Sequence, residues 1–270
     1  MLRYVPAMCS LWLMAGCAAP IANFSIPPAV QDQAISLEAT ASAEPLAKGE
    51  ATLQVRNAGN FGIIWRYSQT HTFSRTANGL TEDLIASTPL GGGGVPFTRR
   101  IVSLCGAIPL LVEQRSGGDG PIVAVPTPPS GAVVVSGVNL PAEERILIQS
   151  LEVSAKSFCA PNVGDSFLIK LDGLKELAAH GPIGTIRTVH SFDDTVTCST
   201  LPLESDQSLL AQAGATLLLR CSHVPARAFR PLETHFVYFP KAGRYLEIYV
   251  HYSPATNDRI EFKNVQIQRE

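Results

Sequence analysis

Residues 244–252 read Arg244-Tyr245-Leu246-Glu247-Ile248-Tyr249-Val250-His251-Tyr252, and this stretch alternates with a period of two. Leu246, Ile248, Val250 and Tyr252 fall on one face, and Tyr245, Glu247, Tyr249 and His251 on the other, as in a half-buried β-strand. Just downstream, Ile260 and Phe262 keep one phase while Val265 and Ile267 keep the opposite one, which predicts a β-bulge near Lys263-Asn264. A strand of this kind needs partners. Ala51-Thr52-Leu53-Gln54-Val55-Arg56 alternates cleanly, Asn57-Ala58-Gly59-Asn60 reads as a turn, and Phe61, Ile63, Trp65 and Tyr67 line the next strand. Further strands are expected at Ile101–Cys105, Pro109–Gln114, Ile122–Val125, Ala132–Val135, Arg145–Ser154, Ser166–Leu171, Thr185–His190, Ala215–Cys221 and His235–Phe239. One short helix is predicted over Asp172–His180, with Asp172 as N-cap and Gly181 as the stop. The fold class is therefore mainly β: an antiparallel β-sandwich with a smaller N-terminal β block.

Composition agrees with a folded β protein. The chain has 270 residues, 46% of them hydrophobic and 16% charged, with 21 Gly and 20 Pro scattered without a period. That excludes collagen and argues against disorder and against a long helical bundle. A net charge of −2 offers no clustered cation to displace counterions, so a nucleic-acid partner is not expected.

Residues 17–48 carry Pro20, Pro27, Pro28 and Pro45 among many Ala and Ser, and read as an extended tether. An N-terminal β block follows over 49–125. Pro126-Thr127-Pro128-Pro129-Ser130-Gly131 is the best linker candidate in the folded region, and equally reads as a long surface loop, because a Pro-dense run cannot pair inside a sheet. The C-terminal sandwich occupies 132–270.

The first 17 residues point to an address. Arg3 gives a thin positive start, and the apolar stretch Tyr4–Met14 is too short to cross a bilayer as a helix. It ends in Leu13-Met14-Ala15-Gly16-Cys17. This segment resembles the lipobox of bacterial lipoprotein signal peptides, with Met14 where Leu is usual. The resemblance implies removal of residues 1–16, lipidation of Cys17 and attachment to a membrane through the lipid. Ala18, rather than Asp, after the cysteine implies the outer membrane, on its periplasmic or surface face. Cleavage as an ordinary secreted or periplasmic protein is the alternative address.

Cys9 belongs to the leader, so Cys105, Cys159, Cys198 and Cys221 remain in an exported chain. Three connectivities are open to four cysteines. Cys198 and Cys221 both lie on strand-like runs, which favours Cys198–Cys221 with Cys105–Cys159. No closely spaced cysteine pair is present, and no metal or other cofactor is expected.

Several motifs resemble chemistry without completing it. Gly164-Asp165-Ser166-Phe167 looks like the nucleophile block of one class of serine esterases, yet no Asp-x-x-His follows to position a base, and a turn explains it. Leu90-Gly91-Gly92-Gly93-Gly94-Val95 lacks the Gly-Lys-Ser/Thr of a phosphate loop. Adjacent Asp193 and Asp194 on a strand point to opposite faces and make a poor acid–base pair, so no catalytic residue is assigned.

After Gly131, two runs carry a second resemblance: Phe167-Leu168-Ile169-Lys170-Leu171, and the ending Gly243-Arg244-Tyr245-Leu246-Glu247-Ile248 with Ile260-Glu261-Phe262-Lys263-Asn264-Val265-Gln266-Ile267. They resemble galactose-binding-like jelly-roll modules, which implies a carbohydrate- or peptidoglycan-binding sandwich. The face of Tyr245, Glu247, Tyr249 and His251 suits that role, since aromatic rings stack on sugars and a carboxylate accepts their hydroxyls. Ordinary cross-strand packing explains the same face without a ligand. The functional expectation is an outer-membrane-anchored lipoprotein with a non-catalytic β-domain for binding or assembly with a glycan or protein partner. A carbohydrate-binding module is the first alternative and a hydrolase the second.

Overall fold

The computed structural model describes residues 24–40, 49–58, 64–90, 96–117, 142–181, 184–203, 208–212, 214–224, 233–253 and 258–269. Cys17 and the leader lie outside them, as do the strands expected at Ile122–Val125 and Ala132–Val135 and the linker between. The strands are β1 (Gly49–Ala58), β2 (Ile64–Arg75), β3 (Thr81–Pro89), β4 (Phe97–Leu104), β5 (Ile108–Ser116) and β6 (Ala142–Val153). They continue as β7 (Ser166–Gly181), β8 (Gly184–Pro202), β9 (Leu217–Val224), β10 (Glu233–Phe239), β11 (Arg244–Ser253) and β12 (Asp258–Arg269). Two helices, α1 (Pro28–Glu38) and α2 (Ser208–Gln212), and a 3₁₀ turn at Lys156–Cys159 complete the described elements.

The expected mainly β, antiparallel class holds. Every strand pairs antiparallel with its neighbours in the chain, and β1 pairs with β12, so the sheet closes on itself. Closure removes both sheet edges, which would otherwise expose unpaired backbone groups. Opposite walls pack over shared cores, as the layers of a sandwich do. Both sequence blocks contribute to this one sheet, because β5 pairs with β6 from Leu111↔Leu147 to Ser116↔Ala142.

Most of the expected strands are present, and β12 slips register where the phase change predicted it. Lys263 pairs with Gln54 and Gln266 with Thr52, leaving Asn264 and Val265 opposite Leu53. The predicted helix at Asp172–His180 is corrected: these residues continue β7, paired with β6 on one side and β8 on the other. Leu171, Leu174, Leu177 and Ala178 mimic a helical stripe, but two ladders and cross-strand ion pairs outweigh the local period. Lys175 meets Glu144, and Glu176 meets Arg187. Gly173 is required there, because a Cβ would lie 2.7 Å from both the Leu147 carbonyl oxygen and the Phe192 ring.

The tether is corrected in part. Pro28 opens α1 at a position where a proline costs no hydrogen bond, and Val30, Ala34 and Leu37 are buried against the barrel. Glu38 then locks the helix in place. Its Oε1 accepts hydrogen bonds from the Thr81 N–H, the Thr81 hydroxyl and the Cys105 N–H, and Arg75 donates to Oε2.

The larger core cluster joins α1 to both disulfides, Cys105–Cys159 and Cys198–Cys221, in the expected connectivity. Phe158, Phe167 and Tyr245 are its largest fully buried rings. A smaller cluster links Tyr67 and Phe73 of β2 to Val237, Phe239, Leu246 and Ile248.

Candidate functional site

Strand β3 shows how the sequence builds an inner face. Thr81, Asp83, Ile85 and Ser87 are buried, while the alternate residues Leu84, Ala86 and Thr88 are exposed. Register carries that inner face across the neighbouring strands. Gln69 of β2 opposes Ser87, which opposes Phe97 of β4; His71 opposes Ile85, which opposes Arg99, which opposes Gln114 of β5. Polar residues thus fill much of the inner wall from β2 to β5, where a purely structural barrel would place Val, Ile and Leu.

Two groups of contacts organise this wall. In the first, His71 Nδ1–H donates to Asp83 Oδ2 at 2.8 Å, and Nε2 lies 3.3 Å from the Gln69 side-chain oxygen. The Arg244 guanidinium stands 3.8 Å from the same Asp83 oxygen and 3.7 Å over the Phe73 ring. Burial pulls the Arg244 pKa down to about 10, against the pull of Asp83 and Glu38, so it remains a cation at neutral pH.

In the second group, Arg99 donates from Nε and Nη2 to the Gln114 side-chain oxygen. Its guanidinium also lies 5.6 Å from the Phe97 ring centre, and that ring packs 6.4 Å from Tyr67. The Tyr67 hydroxyl and the Ser87 Oγ are buried and make no hydrogen bond, and Asp83 Oδ1 is likewise unpaired. Burial raises the Tyr67 pKa, keeping that hydroxyl protonated. Unpaired buried polar atoms cost free energy and are uncommon in folded proteins.

The four residues singled out on the C-terminal strand are not one surface. Phe236 pairs with Glu247 and His235 with Tyr249, which leaves Ile248 as an extra residue. This bulge reverses the alternation. Tyr245 and Glu247 share a face with Tyr238 and Phe236, whereas Tyr249 and His251 share one with His235 and Glu233. Tyr245 is fully buried and donates its hydroxyl to the Phe158 carbonyl at 2.8 Å, so it cannot stack on a ligand at the surface. Glu247 is half-buried, and burial pushes its pKa up to about 7, with Arg99 opposing the rise and Asp83 adding to it.

Tyr249 and His251 belong to a different, partly exposed cluster. The Tyr249 and His235 rings lie 4.8 Å apart, and His235 Nε2 sits 2.9 Å from the Glu233 carboxylate, which Arg220 also contacts. Burial alone would raise the Glu233 pKa, but the hydrogen bonds from His235 and Arg220 outweigh it and hold the carboxyl below its usual value.

The remaining sequence motifs find structural roles. Asp165 accepts hydrogen bonds from the Asn162 N–H and the Ser157 hydroxyl, so the Gly-Asp-Ser segment is a turn leading into β7. Asp194 pairs with His223, while Asp193 points the other way and is exposed. Sequence reasoning missed the inner polar wall. Its signal was present in the alternation of Gln69, His71 and Phe73 and of Thr81, Asp83, Ile85 and Ser87, but polar residues at buried positions do not look like a core. Compared with family models, curated proteins and solved structures, the chain matches none of them.

Proposed function

We propose that this protein is an outer-membrane lipoprotein, held by lipidated Cys17, whose barrel is a non-catalytic binding or assembly domain facing water. The observation that carries the binding role is the inner wall of β2–β5, where the Tyr67 hydroxyl and Ser87 Oγ are buried without partners. Buried polar groups without partners are uncommon, and a polar ligand on this wall would supply the missing hydrogen bonds. The non-catalytic reading is supported by the motifs that resemble chemistry: Asp165 of the Gly-Asp-Ser segment is taken up in a turn, and Asp193 and Asp194 face opposite ways.

A water-facing barrel is supported by its outer wall. Arg100, Glu113, Arg145 and Glu176 stand in one cross-strand row over β4–β7, bridged as Arg100–Glu113, Glu113–Arg145 and Arg145–Glu176. Phe24 caps the row by packing 3.9 Å from the Arg145 guanidinium. Each such cation facing lipid at mid-bilayer would cost roughly 2–4 kcal/mol. Two disulfides fit an exported protein.

The anchoring half of the proposal is tested by mass spectrometry of the mature N-terminus. A mature chain beginning at acylated Cys17, and release from membranes by Cys17→Ser, are expected; an unmodified start elsewhere overturns it. A second reading, glycan binding, is favoured by the Tyr249–His235 pair with Glu233 beside it. Glycan-array or peptidoglycan binding that is lost in Tyr249→Ala supports that reading, and binding unaffected by the change removes it.

A further inference from the structure

We infer that the inner wall near Tyr67, Ser87 and Arg99 is a binding site for a small hydroxylated oxyanion, a carboxylate- or phosphate-bearing molecule with at least one hydroxyl. The inference deepens the binding reading above and does not depend on lipid anchoring. Three observations converge on this end of the wall.

Arg99 is a half-buried cation that bonds the neutral amide of Gln114, and no carboxylate lies within ion-pair distance of it among the described residues. A guanidinium using Nε and Nη2 on one amide oxygen keeps Nη1 for an oxyanion, and its planar fork matches carboxylate and phosphate geometry. Next, Ser87 is the diagonal neighbour of Arg99, since it opposes Phe97 two residues before it. Its hydroxyl is buried and unpartnered, with the residue only 3% exposed. Finally, the Tyr67 hydroxyl is equally unpartnered on a residue 4% exposed, and its ring lies 6.4 Å from Phe97, the residue that Ser87 opposes. A charged donor beside two unsatisfied hydroxyls and an aromatic face describes a ligand with one anionic group, one or more hydroxyls and an apolar flank.

Oxyanion specificity follows from the charge. Glu247, which interacts electrostatically with Arg99, has its pKa raised to about 7 by burial, so below neutral pH it is mostly uncharged and repels an incoming anion weakly. A neutral sugar lacks the group that Arg99 recognises.

The test is calorimetric titration of the purified full chain with glucuronate, inorganic phosphate and glucose, alongside Arg99→Gln, Arg99→Lys and a Tyr67→Phe/Ser87→Ala double variant. Saturable binding of glucuronate or phosphate, with no binding of glucose, is expected. Arg99→Gln should weaken it by about tenfold or more, with Arg99→Lys intermediate because charge survives without the fork. The double variant removes only unpaired hydroxyls, so the free protein should melt no lower than wild type while losing glucuronate affinity. If neither anion binds saturably, or if binding is unchanged in both Arg99→Gln and the double variant, the inference is overturned. An acylated Cys17 in the same preparation would then leave the anchoring proposal standing.

Discussion

The backbone N–H of Tyr245 donates to the carbonyl of Cys105 at 2.7 Å, tying the start of β11 to the turn between β4 and β5 on the other side of the closed sheet. The turn is shaped for this approach. Cys105 adopts a positive φ of 52° and Gly106 one of 82°. A Cβ at Gly106 would sit 2.3 Å from the Tyr245 carbonyl oxygen. Gly106→Ala therefore combines a disfavoured backbone with a clash against another backbone, and should destabilise the protein by about 2–4 kcal/mol. Chemical denaturation gives the number, and a loss below about 1 kcal/mol would mean the turn can move away from β11.

Glu38 supplies a second measurable contact. Glu38→Ala leaves the Thr81 and Cys105 N–H groups buried without an acceptor and should cost about 2–4 kcal/mol. Glu38→Gln keeps an oxygen acceptor and should lose less. Hydrogen exchange in Glu38→Ala should show α1 opening before the strands do.

Glu247 predicts a pH dependence. With a folded pKa near 7, raised chiefly by burial, the native state holds its proton more tightly than the unfolded chain. Stability from this group is thus full at acidic pH, falls as pH rises from about 4.5 toward 7, and is flat above. The side chain is partly exposed, so the loss is on the order of 1–3 kcal/mol. Glu247→Gln should flatten this part of the stability–pH profile, and an unchanged slope would show that another group causes it.

The disulfides should contribute unequally. In the chain-entropy model the Cys198–Cys221 loop contributes about 3 kcal/mol and the longer Cys105–Cys159 loop about 4 kcal/mol. Cys105–Cys159 also joins the β4–β5 turn to the 3₁₀ turn that packs Phe158 on Tyr245. Removing it by paired Cys→Ser changes should lower the melting temperature more than removing Cys198–Cys221.

How much of this was legible in the sequence depends on the residue. Period-two alternation was enough for β11, for β1 and even for the slip at Asn264-Val265. It failed where a local pattern imitated another structure, as with Leu174, Leu177 and Ala178 in β7, whose conformation is set by Lys175 and Glu176 reaching partners on β6 and β8. It failed again at Ile248, because an extra residue that reverses facing leaves no mark on alternation itself. Strand β3 was overlooked because Thr81-Glu82-Asp83 is not apolar, although Thr81 and Asp83 are buried. The inner wall, hence the candidate site, becomes visible only once β2 to β5 are set in register.

The pairing of β1 with β12 has a consequence for how the molecule comes into being. Ten intervening strands can add successively onto their predecessors, but the ring has a seam that only β12 can shut. Until then β1 remains an open ledge, available to any other extended chain, including a sibling copy during synthesis. Losing β12 would therefore do more than trim a terminus: it would leave two sticky rims in place of none, and the shortened protein should polymerise.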